Sequence, residues 1–150
     1  MTSKKSGFLY AGTIVNIVLA SLVFLFSVLI LATFTEFIPE AMDAINRDAL
    51  EEGIVYTKEE LDLIEKVTKG LIYVIFTAQS LIAIGNIAIA ILLLGKTARK
   101  VYSKSLTITM LILSVLLGNY LTLAFMIVVL CLKSPRQLVE EQMKVETKKF

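Results

Sequence analysis

Three long stretches without a single Asp, Glu, Lys or Arg, Phe8–Phe34, Leu71–Leu94 and Leu106–Leu132, constrain this chain more than any other feature. At 1.5 Å per residue they measure about 40, 36 and 40 Å as helices, against about 30 Å of bilayer hydrocarbon. A soluble domain of 150 residues leaves about a third of its surface in water and cannot hide this much Leu, Ile and Val. The chain is therefore expected to be all-α and embedded in a lipid bilayer. The first stretch far exceeds the roughly 7–15-residue core of a cleaved signal, so it is expected to remain as an anchor.

The third stretch carries Gly118-Asn119 at its centre. Gly and Asn accept left-handed backbone geometry at a helix end, and together they form a turn dipeptide. The basic residues favour a turn there. Lys4 and Lys5 precede the first stretch, Lys96, Arg99, Lys100 and Lys104 follow the second, and Lys133, Arg136, Lys144, Lys148 and Lys149 follow the third. Basic residues at span ends stay on the cytoplasmic side, so all three clusters share a side only if the number of crossings is even. The expectation is a single membrane domain, an integral four-helix bundle with spans at about 8–34, 71–94, 97–117 and 120–132. Both termini are expected in the cytoplasm, with the cytoplasmic tail at 133–150. The third helix gains length by starting near Thr97, with Lys100 and Lys104 reaching back to the headgroups.

The connection 35–69 holds ten acidic residues against Arg47, Lys58, Lys66 and Lys69, which suits the extracytoplasmic face. Pro39 is a first-turn residue, and Ile38, Met42, Ile45 and Ala49 recur at helical spacing. They predict a short amphipathic helix ended by Gly53. Thr57 and Glu60 have the spacing of a capping box and predict a second helix that runs on into the second span. These two helices are expected to form an extracytoplasmic cap, acting as a lid over the short hairpin or as a partner-recognition surface. Ser134-Pro135-Arg136-Gln137 has the start signals of a tail helix.

The chain has no His, no Trp and one Cys, Cys131, and the three stretches contain no ionisable Asp, Glu, Lys or Arg. Proton relays, ion pathways and intramembrane acid–base pairs need such groups, and membrane hydrolases need a base or a metal. No enzyme activity, cofactor, metal or nucleic-acid partner is expected. The acidic cluster lacks the spacing of an EF-hand loop and reads as a solvated face.

Ser and Thr in a span can bond to their own helix, whereas Asn and Gln amides require a second helix. Gly12, Asn16 and Ala20 form one row on the first span; Gln79, Ala83, Asn86 and Ala90 form one stripe on the second. Small residues and amides of this kind mark helix interfaces in membranes. They are expected to pack the two spans together, or else to present a face to a partner or a pore.

The layout resembles small bacterial four-span membrane proteins of uncharacterised function. A basic N-terminus and one span are followed by a helical outer loop, a second span and the basic linker Gly95-Lys96-Thr97-Ala98-Arg99-Lys100. A tight hairpin and a basic tail complete it. The expected role is an accessory subunit or immunity-type protein that binds another membrane protein. The alternative is a pore-forming, holin-like homo-oligomer.

Overall fold

The computed structural model describes residues 3–99 and 101–132, all helical or in helix connections. Four helices follow one another: α1 (Ser3–Glu51), α2 (Lys58–Ala98), α3 (Lys104–Leu116) and α4 (Tyr120–Cys131). Two of them, α1 and α2, are long and apolar enough to cross a membrane. Only 17% and 28% of their most apolar windows are buried. A core helix of a soluble protein would be covered on most of its circumference, and these two are not.

The chain divides into two compact units. One takes in the residues up to Leu22 and from Ile82 onward; the other is Val23–Leu81. In the first unit a dry core of Leu9, Ala90, Leu93, Met110, Met126 and Val129 draws on all four helices. Each helix also carries small or hydroxyl residues on its inner side. Thr13, Thr97, Thr107 and Ser114 are buried and donate to the carbonyl four residues back, which removes the cost of placing a hydroxyl there. Ser80 in the second unit and Thr122 in the first are the two described residues whose buried hydroxyl has no partner.

Two helix ends are built alike. At Gly53 (φ 80°) the Ile54 N–H donates to the Ala49 carbonyl and the Gly53 N–H to Leu50; at Gly118 (φ 67°) Asn119 donates to Ser114 and Gly118 to Val115. Both are Schellman closures, which need a left-handed residue just past the helix and so favour glycine. The first ends α1 and the second reverses the chain between α3 and α4. At the start of α2 the Thr57 N–H and hydroxyl donate to the Glu60 carboxylate while the Glu60 N–H donates to Thr57 Oγ1. Those bonds hold the Glu60 carboxyl below its ordinary pKa.

Three expectations change. No separate helix begins at Pro39: α1 runs unbroken from Ser3 to Glu51 with Pro39 inside it. The extracytoplasmic cap of two helices separate from the first span is thereby replaced by a direct continuation of α1. An interior proline costs about 3 kcal/mol, and no left-handed or capping residue stands between Phe34 and Ile38 to end the helix. Phe34 and Ile38, both before the proline, are buried, with the Phe34 ring edge-on to Tyr73 at 4.8 Å, and this packing offsets the cost. Ile38 and Ala49 are buried and Met42 half-buried, while Ile45 is exposed.

The third helix begins at Lys104, not at Thr97, because α2 continues through the basic linker to Ala98. Lys96 sits in the last turn of α2, where a cation complements the helix dipole, and the Val101 N–H closes on the Lys96 carbonyl. Finally, helical spacing sets Leu61, Ile64, Val67 and Leu71 on one apolar stripe of α2, but Leu61 and Ile64 are half-buried while Val67 and Leu71 are exposed. The expected tail helix at Ser134–Gln137 lies outside the described residues.

Candidate functional site

At one end of the α3–α4 hairpin four polar side chains meet in the first unit. Asn16 comes from α1, Asn86 from α2, Ser114 from α3 and Asn119 from the turn before α4. Asn16, Asn86 and Ser114 are fully buried and Asn119 nearly so. Asn16 Nδ2 donates to Asn86 Oδ1 at 2.9 Å, and Asn86 Nδ2 donates back to Asn16 Oδ1 at 3.1 Å. Asn119 Nδ2 donates to the same Asn16 oxygen at 3.2 Å, and Ser114 Oγ approaches it at 3.3 Å.

The orientation of each amide follows from the backbone. Asn119 is the N-cap of α4 and accepts the Thr122 N–H on its Oδ1 at 3.1 Å, so its Nδ2 must face Asn16. Asn16 must then present its oxygen to Asn119 and its nitrogen to Asn86. An amide oxygen has two lone pairs, which Asn86 and Asn119 occupy. Ser114 has a single hydrogen and sits closer to the Met110 carbonyl, at 2.7 Å, so its hold on Asn16 is secondary.

The opposite end of the same unit carries positive charge. Lys5 is 5% exposed; its Nζ donates to the Leu132 carbonyl at 3.1 Å and lies 4.0 Å from the centroid of the Tyr102 ring. One ammonium thus joins the start of α1, the α2–α3 connection and the carbonyl of Leu132, the residue just past α4. Burial pushes the Tyr102 phenol above its usual pKa, and its ring face lies against the cation.

Between these ends the close approach of α1 to α4 depends on Gly12. A Cβ on Gly12 would fall 2.6 Å from Phe125 Cβ and 2.6 Å from Met126 Cε. Phe8 and Phe125 pack beside it with ring centroids 6.4 Å apart.

The sequence placed Gly12, Asn16 and Ala20 in one row toward the second span. Asn16 does bond to Asn86, and Ala20, Ala83 and Ala90 are fully buried, but Gly12 faces α4. Gln79 falls in the second unit, where it is half-buried. Sequence reasoning missed Ser114, Lys5 and Tyr102. Ser114 was signalled by its place on the inner face of α3 with Thr107 and Met110, but nothing in the sequence names its partners. Among the described residues no group of His, Cys, Asp and Glu could hold a metal ion. At the amide cluster the chemistry is neutral hydrogen bonding, which fixes helices in register. Comparison with protein-family models, curated proteins and solved structures returns no match for this chain.

Proposed function

We propose that this chain is a non-enzymatic integral membrane protein that binds another membrane protein, as an accessory subunit or immunity-type protein. It lies in the cell membrane with both ends in the cytoplasm and the 52–57 connection outside, as the basic residues of the first unit and the acid-rich 35–69 segment favour.

The observation that carries this reading is an exposed apolar stripe on α2. Leu63, Val67, Leu71 and Val74 follow one another at helical spacing and are 62%, 53%, 56% and 68% exposed. Leu71 and Val74 belong to an uncharged stretch that lipid can cover. Leu63 and Val67 do not, for they stand among Glu59, Asp62, Glu65 and Lys66 in the polar segment. An apolar stripe that passes from a charged zone into an uncharged one suits a membrane partner whose own surface crosses the same boundary, with basic groups toward the acidic end. The pore-forming alternative is less well supported, because the amides of Asn16, Asn86 and Asn119 are occupied with one another and are not free to line a pore.

Purification from native membranes in mild detergent tests the proposal. The chain is expected to bring down a second membrane protein in fixed ratio. Leu63→Asp with Val67→Asp, both at exposed positions, is expected to release it and to leave the chain's own thermal stability within about 0.5 kcal/mol. Recovery of the unmodified chain alone, or of homo-oligomeric rings that leak ions from liposomes, would overturn it.

A further inference from the structure

We infer that α3 and α4 form a re-entrant hairpin, entering the membrane from the side that holds the chain's basic ends and turning back near the bilayer midplane. The inference rests on the membrane reading above, and it replaces the four complete crossings expected from run lengths with two crossings and one half-depth loop.

Distances along the helices carry it. With 13 and 12 residues, α3 and α4 are about 20 and 18 Å long, short of the ~30 Å hydrocarbon layer. Their feet are marked by charge: Lys104 begins α3, and Lys5 holds the carbonyl of Leu132 at the end of α4. The turn is tied to Asn16 through Asn119. Along α1 the rise from Lys5 to Asn16 is about 16 Å, and along α2 the rise from Asn86 to Lys96 is about 15 Å. Both place the amide cluster halfway through the hydrocarbon if the basic residues sit at its edge. Beyond the cluster the uncharged stretch of α1 continues from Ile17 to Phe34, about 27 Å more.

The turn also has the chemistry of a buried one. No charged residue lies between Lys104 and Lys133. Leu116 and Leu121, which flank the reversal, are 60% and 55% exposed, apolar surface that water would not favour, and Tyr120 beside them is 75% exposed. Backbone that turns inside hydrocarbon must have its polar groups satisfied by protein. Here the N–H groups of Gly118, Asn119 and Tyr120 find backbone carbonyls, that of Thr122 finds Asn119 Oδ1, and the remaining Asn119 amide hydrogen-bonds to Asn16. The amide cluster thus acquires a specific role: it is the polar floor on which a loop can reverse within lipid.

The test is a depth profile on the full chain in liposomes, with Cys131→Ser as background. Nitroxides are attached one at a time to Ile108→Cys, Ile112→Cys, Tyr120→Cys, Leu121→Cys and Val128→Cys, all at exposed positions. Collisions with oxygen relative to a polar nickel chelate are expected to rise steadily from Ile108 to Tyr120 and Leu121 and to fall again toward Val128. Tyr120→Cys is expected to resist a membrane-impermeant maleimide from either face, while Val55→Cys reacts from outside. A profile that peaks at Ile112 and drops at Tyr120, or labelling of Tyr120→Cys as fast as Val55→Cys, would overturn the hairpin. Should Val55→Cys react only from the inner face, and the basic ends lie outside, while the profile still peaks at the turn, the hairpin stands and the orientation proposed above fails; Val55→Cys on the same face as the basic ends would overturn both.

Discussion

Replacing Asn16 with Leu is expected to destabilise the protein by about 2–4 kcal/mol, more than any other single change at a polar position. The reason is the sharing of one acceptor. Asn16 Oδ1 takes hydrogen bonds from Asn86 and Asn119, and Asn16 Nδ2 donates to Asn86 Oδ1. Removing it orphans polar atoms on two other residues at once, in a buried site. Each orphaned buried group costs about 1–3 kcal/mol, moderated in membranes to about 0.6–2 because the unfolded chain also finds partners. Asn86→Leu orphans atoms of Asn16 alone, so it is expected to cost less. Ser114→Ala is expected to be nearly silent, since that hydroxyl is served by its own helix. The double change Asn16→Leu with Asn86→Leu should cost less than the two singles added, because the second substitution removes groups the first has already stranded. Unfolding in mixed detergent micelles measures all four. Equal losses for Asn16 and Ser114 would show that the cluster is not organised around one oxygen.

A methyl group at Gly12 is expected to cost about 1–3 kcal/mol, against the ordinary gain from placing Ala in a helix. The added carbon meets Phe125 Cβ at 2.6 Å, an atom fixed to the α4 backbone that cannot swing aside, whereas the Met126 methyl at the same distance can. Relief therefore requires α4 to move away from α1. Gly85 provides the control: a Cβ there meets nothing within 4 Å, so Gly85→Ala is expected to be neutral or to stabilise by up to about 1 kcal/mol. Thermal denaturation of the two variants in the same detergent distinguishes them. If both shift the midpoint equally, the α1–α4 contact is looser than described.

Gly12 also shows where the sequence stops being informative. Its place in a row with Asn16 and Ala20 was plain, but a four-residue row on a helix drifts around the axis, and four helices in one unit leave each row with two possible neighbours. Only the register of α4 assigns Gly12 to Phe125 and Asn16 to Asn86 and Asn119. Features decided within a few residues were legible: the stop at Gly53 and the reciprocal Thr57–Glu60 cap follow from local backbone chemistry, whereas the reversal at Gly118-Asn119 also needed the distribution of basic residues along the chain. Pro39 misled because a proline restricts φ to a value a helix already uses; whether a helix survives its missing N–H depends on neighbours such as Phe34 and Tyr73, which lie far apart in sequence. In the sequence Lys5 marks only the cytoplasmic side of the first span. Its bond to Leu132, at the far end of the chain, depends on α4 returning to where α1 begins.

That return underlies the amide cluster, the lysine clasp and the re-entrant hairpin alike, and a cross-linking experiment addresses it directly. In a Cys131→Ser background, Phe8→Cys with Phe125→Cys is treated with a short thiol-to-thiol reagent in native membranes, beside Phe34→Cys with Tyr73→Cys as the positive control within the second unit. Both pairs are expected to join rapidly within one chain. Joining of residues 34 and 73 without joining of 8 and 125 would mean that α4 does not run back along α1, and would contradict that return.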